Sequence, residues 1–321
     1  MGAAIIGLGA ALPEQRLTNA DLERRVDTSD EWIVERTGIR ERRVAAPDDT
    51  AATLGTAAAA SAVKDAGLTP EDVGLLVVAT TTPVQPFPAT AVRIQEALGM
   101  RGGAFDVMAA CSGFVYGLVA AAGMLSGQGA GSGGGGPALV VGTEVLSRIV
   151  DPDDRSTVVL FGDGAGAAVV APSTDPGAGL VSWDLGCDGS LASLLEVPVG
   201  ERWIRMEGRE VFRRAVRVVV DSSAAALERA GLAPSDVDLF VPHQANIRII
   251  DAVCSRIGVP LERTVVNLDR YGNTSAASIP LALYEAAEAG RLREGDVVLL
   301  SGFGAGMTWA SAVLRWEGRR R

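Results

Sequence analysis

A chain of 321 residues with 48% hydrophobic side chains can bury a large core, in one big domain or two fused ones. Its formal net charge of −10 argues against nucleic acid as a main partner, because phosphate binding needs a basic face. Three widely spaced cysteines and one histidine cannot make a disulfide framework, argue against a His/Cys metal site, and fit a reducing cytosol.

In chain order, the opening MGAAIIG lacks a basic flank and predicts a buried strand, not a signal peptide, and no apolar run reaches the ~18 residues a membrane span needs. An alanine-rich helix is expected over 56–66, then Ala66-Gly67-Leu68-Thr69-Pro70-Glu71-Asp72-Val73-Gly74-Leu75 and a buried strand Leu75–Ala79. The apolar segment Ala104–Ala110 leads to Cys111, and Phe114–Leu125 has helical character. Gly127–Gly136 is low-complexity and reads as a surface loop before the strand Ala138–Val141. Gly162-Asp163-Gly164-Ala165-Gly166 suggests a phosphate loop, but it lacks the lysine and the dinucleotide spacing, so it reads as structural.

The turn-rich stretch Ala171–Gly177 marks a seam, dividing the chain into halves 1–171 and 172–321. Past it, a helix over 222–230 precedes Ala230-Gly231-Leu232-Ala233-Pro234-Ser235-Asp236-Val237-Asp238-Leu239 and the strand Leu239–Val241, an echo 164 residues after the first copy. Val297–Ser301 similarly echoes Ala138–Gly142. Two such echoes indicate duplication. Short apolar strands alternating with amphipathic helices place the chain in the α/β class, with mixed or parallel sheets covered on both faces.

Scarcity narrows the chemistry. Cys111 stands at an expected strand-to-helix junction, where unpaired N–H groups and the positive end of the helix dipole favour a thiolate; a cysteine among alanines is also how a small buried hydrophobe looks. His243, the only histidine, follows Pro242 at a strand end, with polar Gln244, Asn246 and Arg248 after it. Asn273 lies in Tyr271-Gly272-Asn273-Thr274-Ser275 before another alanine-rich helix. Under the 164-residue offset Ser275 corresponds to Cys111, which puts Asn273 at the equivalent junction, although Asn-Thr-Ser is also a good N-cap. In Ser301-Gly302-Phe303-Gly304-Ala305-Gly306-Met307, small residues let backbone N–H groups approach a ligand, as an oxyanion site or a tight bend requires.

These motifs, with Thr28-Ser29-Asp30-Glu31-Trp32-Ile33, Arg36-Thr37-Gly38-Ile39, Asp151-Pro152-Asp153-Asp154-Arg155 and Phe161–Gly166, resemble the β-ketoacyl-[acyl carrier protein] synthase III family over essentially the whole chain. The resemblance implies a thiolase-like duplicated α/β fold, layered α-β-α-β-α with two pseudo-twofold-related halves, in a cytoplasmic homodimer. It implies an acyltransferase without cofactor or metal: acyl-coenzyme A, a substrate, condenses with malonyl-acyl carrier protein, starting fatty-acid synthesis. Cys111, His243 and Asn273 would be catalytic, with the N–H groups of Cys111 and Ala305 holding the oxyanion. Coenzyme A contacts fall to Thr28, Trp32, Arg36, Arg155 and Asn246. The acidic carrier protein would meet the segment Gln244, Ala245, Asn246, Ile247 and Arg248, with Arg213 and Arg256. Phe87 matches a residue that caps the partner subunit's acyl pocket.

Ala305 stands where the family usually has a glycine, Gly186–Arg205 looks shorter than usual, and Gly127–Gly136 looks longer. These bear on acyl preference. Competing readings are a starter-unit priming ketosynthase or acyltransferase of a polyketide pathway and a non-catalytic synthase partner. A thiolase would want a second cysteine near the C-terminal glycine loop, where none stands.

Overall fold

The computed structural model describes residues 2–127, 135–173, 175 and 177–319. Most of the Gly127–Gly136 stretch, and Thr174 and Pro176 of the seam, lie outside the described residues. The strands are β1 (Ala3–Ala11), β2 (Leu75–Ala79), β3 (Gly103–Val107), β4 (Ala138–Val145), β5 (Asp163–Pro172), β6 (Gly179–Cys187), β7 (Leu239–Pro242), β8 (Val297–Gly304) and β9 (Thr308–Arg315). The principal helices are α1 (Asp30–Thr37), α2 (Ala51–Asp65), α3 (Thr90–Leu98), α4 (Gly113–Gly127), α5 (Gly208–Ala230), α6 (Ile247–Ile257) and α7 (Ser278–Glu288).

Two sheets repeat one plan. The first runs β1-β5-β4-β2-β3 and the second β6-β9-β8-β7. In each, the edge strand pairs antiparallel with its neighbour, the next pair is also antiparallel, and the pairing then turns parallel. The fifth position of the second sheet is held only by a parallel bridge from Phe240 to Thr264. Echoes read as short sequence matches are thus one βαβ design used twice.

Side chains that alternate along each strand divide the core into layers. In β2, Leu76 and Val78 face α2 and α3, while Val77 faces the molecular centre. In β8, Val298 and Leu300 point to that same centre, while Val297 and Leu299 pack under α5 and α6. Between the sheets lie α4 and α7, whose Phe114, Leu118, Ile279 and Leu283 are fully buried. Each such side chain contributes about 1.5–3 kcal/mol by leaving water. The order of layers is therefore α2/α3, sheet, α4/α7, sheet, α5/α6. Since α4 and α7 sit between two apolar faces, both must be apolar nearly all round.

The expected helix over 222–230 is the end of the 23-residue α5. Its front half carries exposed arginines at 209, 213 and 217 and half-buried Arg214, so alanine content alone cut it short.

Candidate active site

The two central helices begin at matching tight turns, 110–112 before α4 and 275–277 before α7, which pack against each other. Each turn opens with a non-glycine residue in the left-handed region, Ala110 at φ 47° and Ser275 at φ 47°, and a third such residue, Met307 at φ 43°, follows the glycine loop. A left-handed non-glycine residue costs about 1–3 kcal/mol and persists where surrounding structure enforces it. All three surround Cys111. The matching conformations pair Ala110 with Ser275, and hence Cys111 with Ala276. The expected equivalence of Cys111 with Ser275 is one residue out, because the whole stretch from the start of β2 at Leu75 to Ala110 is one residue shorter than that from the start of β7 at Leu239 to Ser275.

Cys111 is buried, 7% exposed. Burial pushes its thiol up to about 12; the neighbouring Ser275 side chain pulls it back and buried Glu144 pushes it further up. The donors expected at the junction are therefore outweighed by desolvation of the anion, which raises the thiol. The neighbouring backbone is tightly constrained. A Cβ on Gly304 would lie 2.5 Å from the Cys111 nitrogen and 2.7 Å from the Ala110 Cβ. Gly304→Ala should therefore displace the Cys111 turn, costing about 1–3 kcal/mol of stability, seen as a lowered Tm together with slower labelling of Cys111 by acyl-coenzyme A.

His243 follows the end of β7, its N–H bonded to the Ser301 carbonyl at 2.8 Å. The Phe303 ring packs edge-on against the imidazole, centroids 5.6 Å apart. Burial pushes the imidazole down to about 3, so it is neutral near physiological pH. Nδ1 lies 2.7 Å from the Ser278 hydroxyl. Asn273 sits in a loop bridged to Phe161. Its Oδ1 accepts the Ser275 N–H at 2.8 Å, which leaves the Nδ2 protons for the cavity. Cys111, His243 and Asn273, drawn from three separate segments, line a single cavity of about 90 Å³ with Phe303 and Gly304.

On the other side of Cys111, a wider cavity of about 400 Å³ is walled by Met108, Leu146, Ile149, Phe161 and Ile204, with Ala305 at its rim. Outward, a surface pocket of about 370 Å³ is lined by Arg36, Arg209 and Arg248 and shares Gly208, Phe212 and Asn246 with the inner cavity. A buried thiol therefore stands between an apolar pocket and a passage that opens among arginines.

Sequence profiles of 3-oxoacyl-[acyl-carrier-protein] synthase III match residues 105–189, and those of its C-terminal part match residues 227–316. A β-ketoacyl-[acyl-carrier-protein] synthase III of Roseiflexus sp. (strain RS-1) is 52% identical over 98% of both chains. The chain belongs to the synthase III family. Among solved structures, 3-oxoacyl-[acyl-carrier-protein] synthase III from Aquifex aeolicus VF5 superposes with a TM-score of 0.93 at 46% identity, covering 98% of this chain and all of that one. The priming β-ketosynthase of the R1128 polyketide pathway superposes with a TM-score of 0.90 at 40% identity, covering 98% and 96%.

Around the mouth of this synthase III, Trp32 on α1 carries two guanidinium groups on its ring, Arg36 at 4.8 Å and Arg155 at 4.7 Å. Arg155 is held by the Asp27 carbonyl at 2.7 Å. The Thr28 hydroxyl is buried and has no hydrogen-bond partner among the described residues. Asn246 caps α6: its Oδ1 accepts the Arg248 N–H, and its Nδ2 donates to the Arg36 carbonyl at 2.9 Å. That bond ties α1 to α6 and gathers the expected coenzyme A residues on one rim.

The expected docking segment needs a correction. Gln244 is 1% exposed; its amide donates to the carbonyls of Pro242 and Val265 and accepts the Asn267 N–H. Every polar group is used inside the protein, so Gln244 cannot meet a carrier protein. Ala245 and Ile247 are half-buried, Ala245 in the inner cavity wall. Arg248, Arg213 and Arg256 are exposed, with Arg213 ion-paired to Glu210. Phe87 is 82% exposed and lines neither cavity of its own chain.

Sequence reasoning passed over Arg209, Ser278 and Glu144. Arg209 stands one turn before Arg213, a spacing that could have flagged it. Glu144, fully buried at the end of β4, accepts hydrogen bonds from Thr81, Thr82 and the Ser275 hydroxyl, anchoring the turn beside Cys111. Burial raises its carboxyl above the usual range, against those bonds. Among the described residues no group of three or more His, Cys, Asp or Glu is placed to hold a metal.

Proposed function

We propose that this synthase III forms an acyl-Cys111 thioester from an acyl-coenzyme A and condenses it with malonyl-acyl carrier protein, starting fatty-acid synthesis. The observation that carries this reading is the cavity shared by Cys111, His243 and Asn273 beneath an arginine-lined mouth. Cys111 sulfur attacks the thioester carbonyl; its proton ends on the departing coenzyme A sulfur. The N–H groups of Cys111 and Ala305 hold the oxyanion. Coenzyme A lies along the mouth, its flat base against Trp32 and its phosphates near Arg36 and Arg155, with Thr28 and Asn246 as polar contacts. The acyl chain fills the apolar cavity behind Cys111.

Malonyl-acyl carrier protein then enters. His243 Nε2–H and the Asn273 amide donate to its thioester carbonyl, and loss of carbon dioxide leaves an enolate whose charge they hold. The enolate carbon bonds the acyl carbon and Cys111 is released; confinement makes the step effectively unimolecular. No resident cofactor or metal enters these steps. Arg248, Arg213 and Arg256, with Arg209, form the basic patch for the acidic carrier.

Exposed Phe87, with Val84 at 45% exposure on the same loop, supports a homodimer in which a second copy covers this loop. The halves 1–171 and 172–321 follow the two sheets. None of the described helices is long and apolar enough to cross a membrane. Three free cysteines support a cytoplasmic location, where thiols stay reduced. A second reading, priming of a polyketide pathway with a non-acetyl starter, is favoured by the similarity to the R1128 ketosynthase and by an apolar cavity larger than an acetyl group.

Intact-protein mass spectrometry after incubation with a panel of acyl-coenzymes A tests both: one acyl adduct per chain is expected, and the accepted chain separates the two readings. No adduct with any donor rejects both. Arg248→Glu should slow carrier-dependent turnover about tenfold by reversing a docking charge while leaving acylation nearly unchanged; equal losses would remove the docking role.

A further inference from the structure

The cavity contains two neutral hydrogen-bonding groups, and each can point a donor or an acceptor at a ligand. For Asn273 the choice is made by the Ser275 N–H, which occupies Oδ1. For His243 it depends on which ring nitrogen carries the proton. We propose that the Ser278 hydroxyl makes that choice, donating to His243 Nδ1 so that Nε2 keeps its proton and faces the cavity as a donor.

The argument is one of hydrogen-bond accounting. Ser278 is 1% exposed and His243 is 4% exposed, so neither side chain can turn to bulk water for a partner. The Oγ to Nδ1 separation is 2.7 Å, and among the described residues Ser278 Oγ has no other hydrogen-bond partner. A buried hydroxyl proton left without an acceptor is costly, and Nδ1 is the acceptor in reach. If Nδ1 carried the proton instead, the serine would have to send its own hydrogen elsewhere, and among the described residues no second acceptor is hydrogen-bonded to it. Ring flipping is opposed by Phe303, whose ring packs against the imidazole edge-to-face. Ser278 opens α7, one of the two buried central helices, which makes its hydroxyl a rigid support. It is a positioning residue: it acts on the reaction through the imidazole.

The proposal rests on the condensing role given above to His243, and its test separates the two. Because the chain holds one histidine, protein grown on ¹⁵N-histidine gives ring signals that need no assignment. In the wild type, the protonated nitrogen should be the one correlated comparably with both carbon-bound ring protons, which is Nε2. In Ser278→Ala the signals should shift to a mixture of tautomers or to Nδ1–H, and condensation should fall about tenfold with acylation by acyl-coenzyme A within twofold. Ser278→Thr, which retains a hydroxyl, should restore both the signal and the rate. Should Ser278→Ala fold poorly, Ser278→Cys keeps the packing with a weaker donor, and an intermediate shift is expected. A wild-type ring protonated on Nδ1, or a Ser278→Ala ring that stays wholly Nε2–H, overturns the proposal. Wild-type protein that shows the expected tautomer but fails to condense would instead overturn the functional reading.

Discussion

Replacing Cys111 with serine should abolish the acyl adduct and lower turnover by on the order of 10⁴-fold or more. A serine hydroxyl is nearly isosteric but a far weaker nucleophile, and no imidazole stands ready to take its proton, because burial pushes His243 down to about 3. The fold should survive, since Cys111 contributes little packing beyond its turn. Mass spectrometry with labelled acyl-coenzyme A and a thermal melt separate the outcomes. An adduct persisting in a folded Cys111→Ser protein would move the nucleophile elsewhere; Cys254 is buried beside Thr264 and Cys187 is exposed, and neither lines a cavity described here with His243.

Removing the second-stage donors should produce the opposite pattern. His243→Ala and Asn273→Ala should each leave the acyl adduct intact while lowering malonyl decarboxylation about 10²–10³-fold, the usual cost of one donor to a developing oxyanion. The enolate charge develops on the carbonyl oxygen as carbon dioxide departs, so these donors matter to that step and not to thioester exchange. Asn273→Asp should be at least as damaging as alanine, because it presents a carboxylate to a growing negative charge. Stoichiometry of the adduct and release of labelled carbon dioxide distinguish the steps. Loss of acylation with decarboxylation preserved would reverse the assignment.

How much of this was legible before the structure varied residue by residue. Cys111 and His243 were conspicuous because few alternatives exist in the chain. Asn273 was visible through its motif, and its amide orientation was not, since that depends on the Ser275 N–H in a turn at φ 47°. Gln244 misled: a polar residue after a strand reads as surface, yet the chain folds it inward onto two carbonyls and an N–H. Ser278 carries no local signal, because its partner lies 35 residues away. The duplication was visible in its strands and one residue wrong at the turns, where a loop length changed.

Local pattern and composition settled the class of fold, the repetition of its strands and the scarcity of reactive groups, because each is a property of neighbours along the chain. Only the packed molecule decided that burial raises the thiol and lowers the imidazole, and that Asn273 Oδ1 and His243 Nδ1 find partners inside the protein. Those outcomes depend on burial and on hydrogen bonds between segments distant in sequence, and such contacts exist only once two sheets and two central helices close around one cavity.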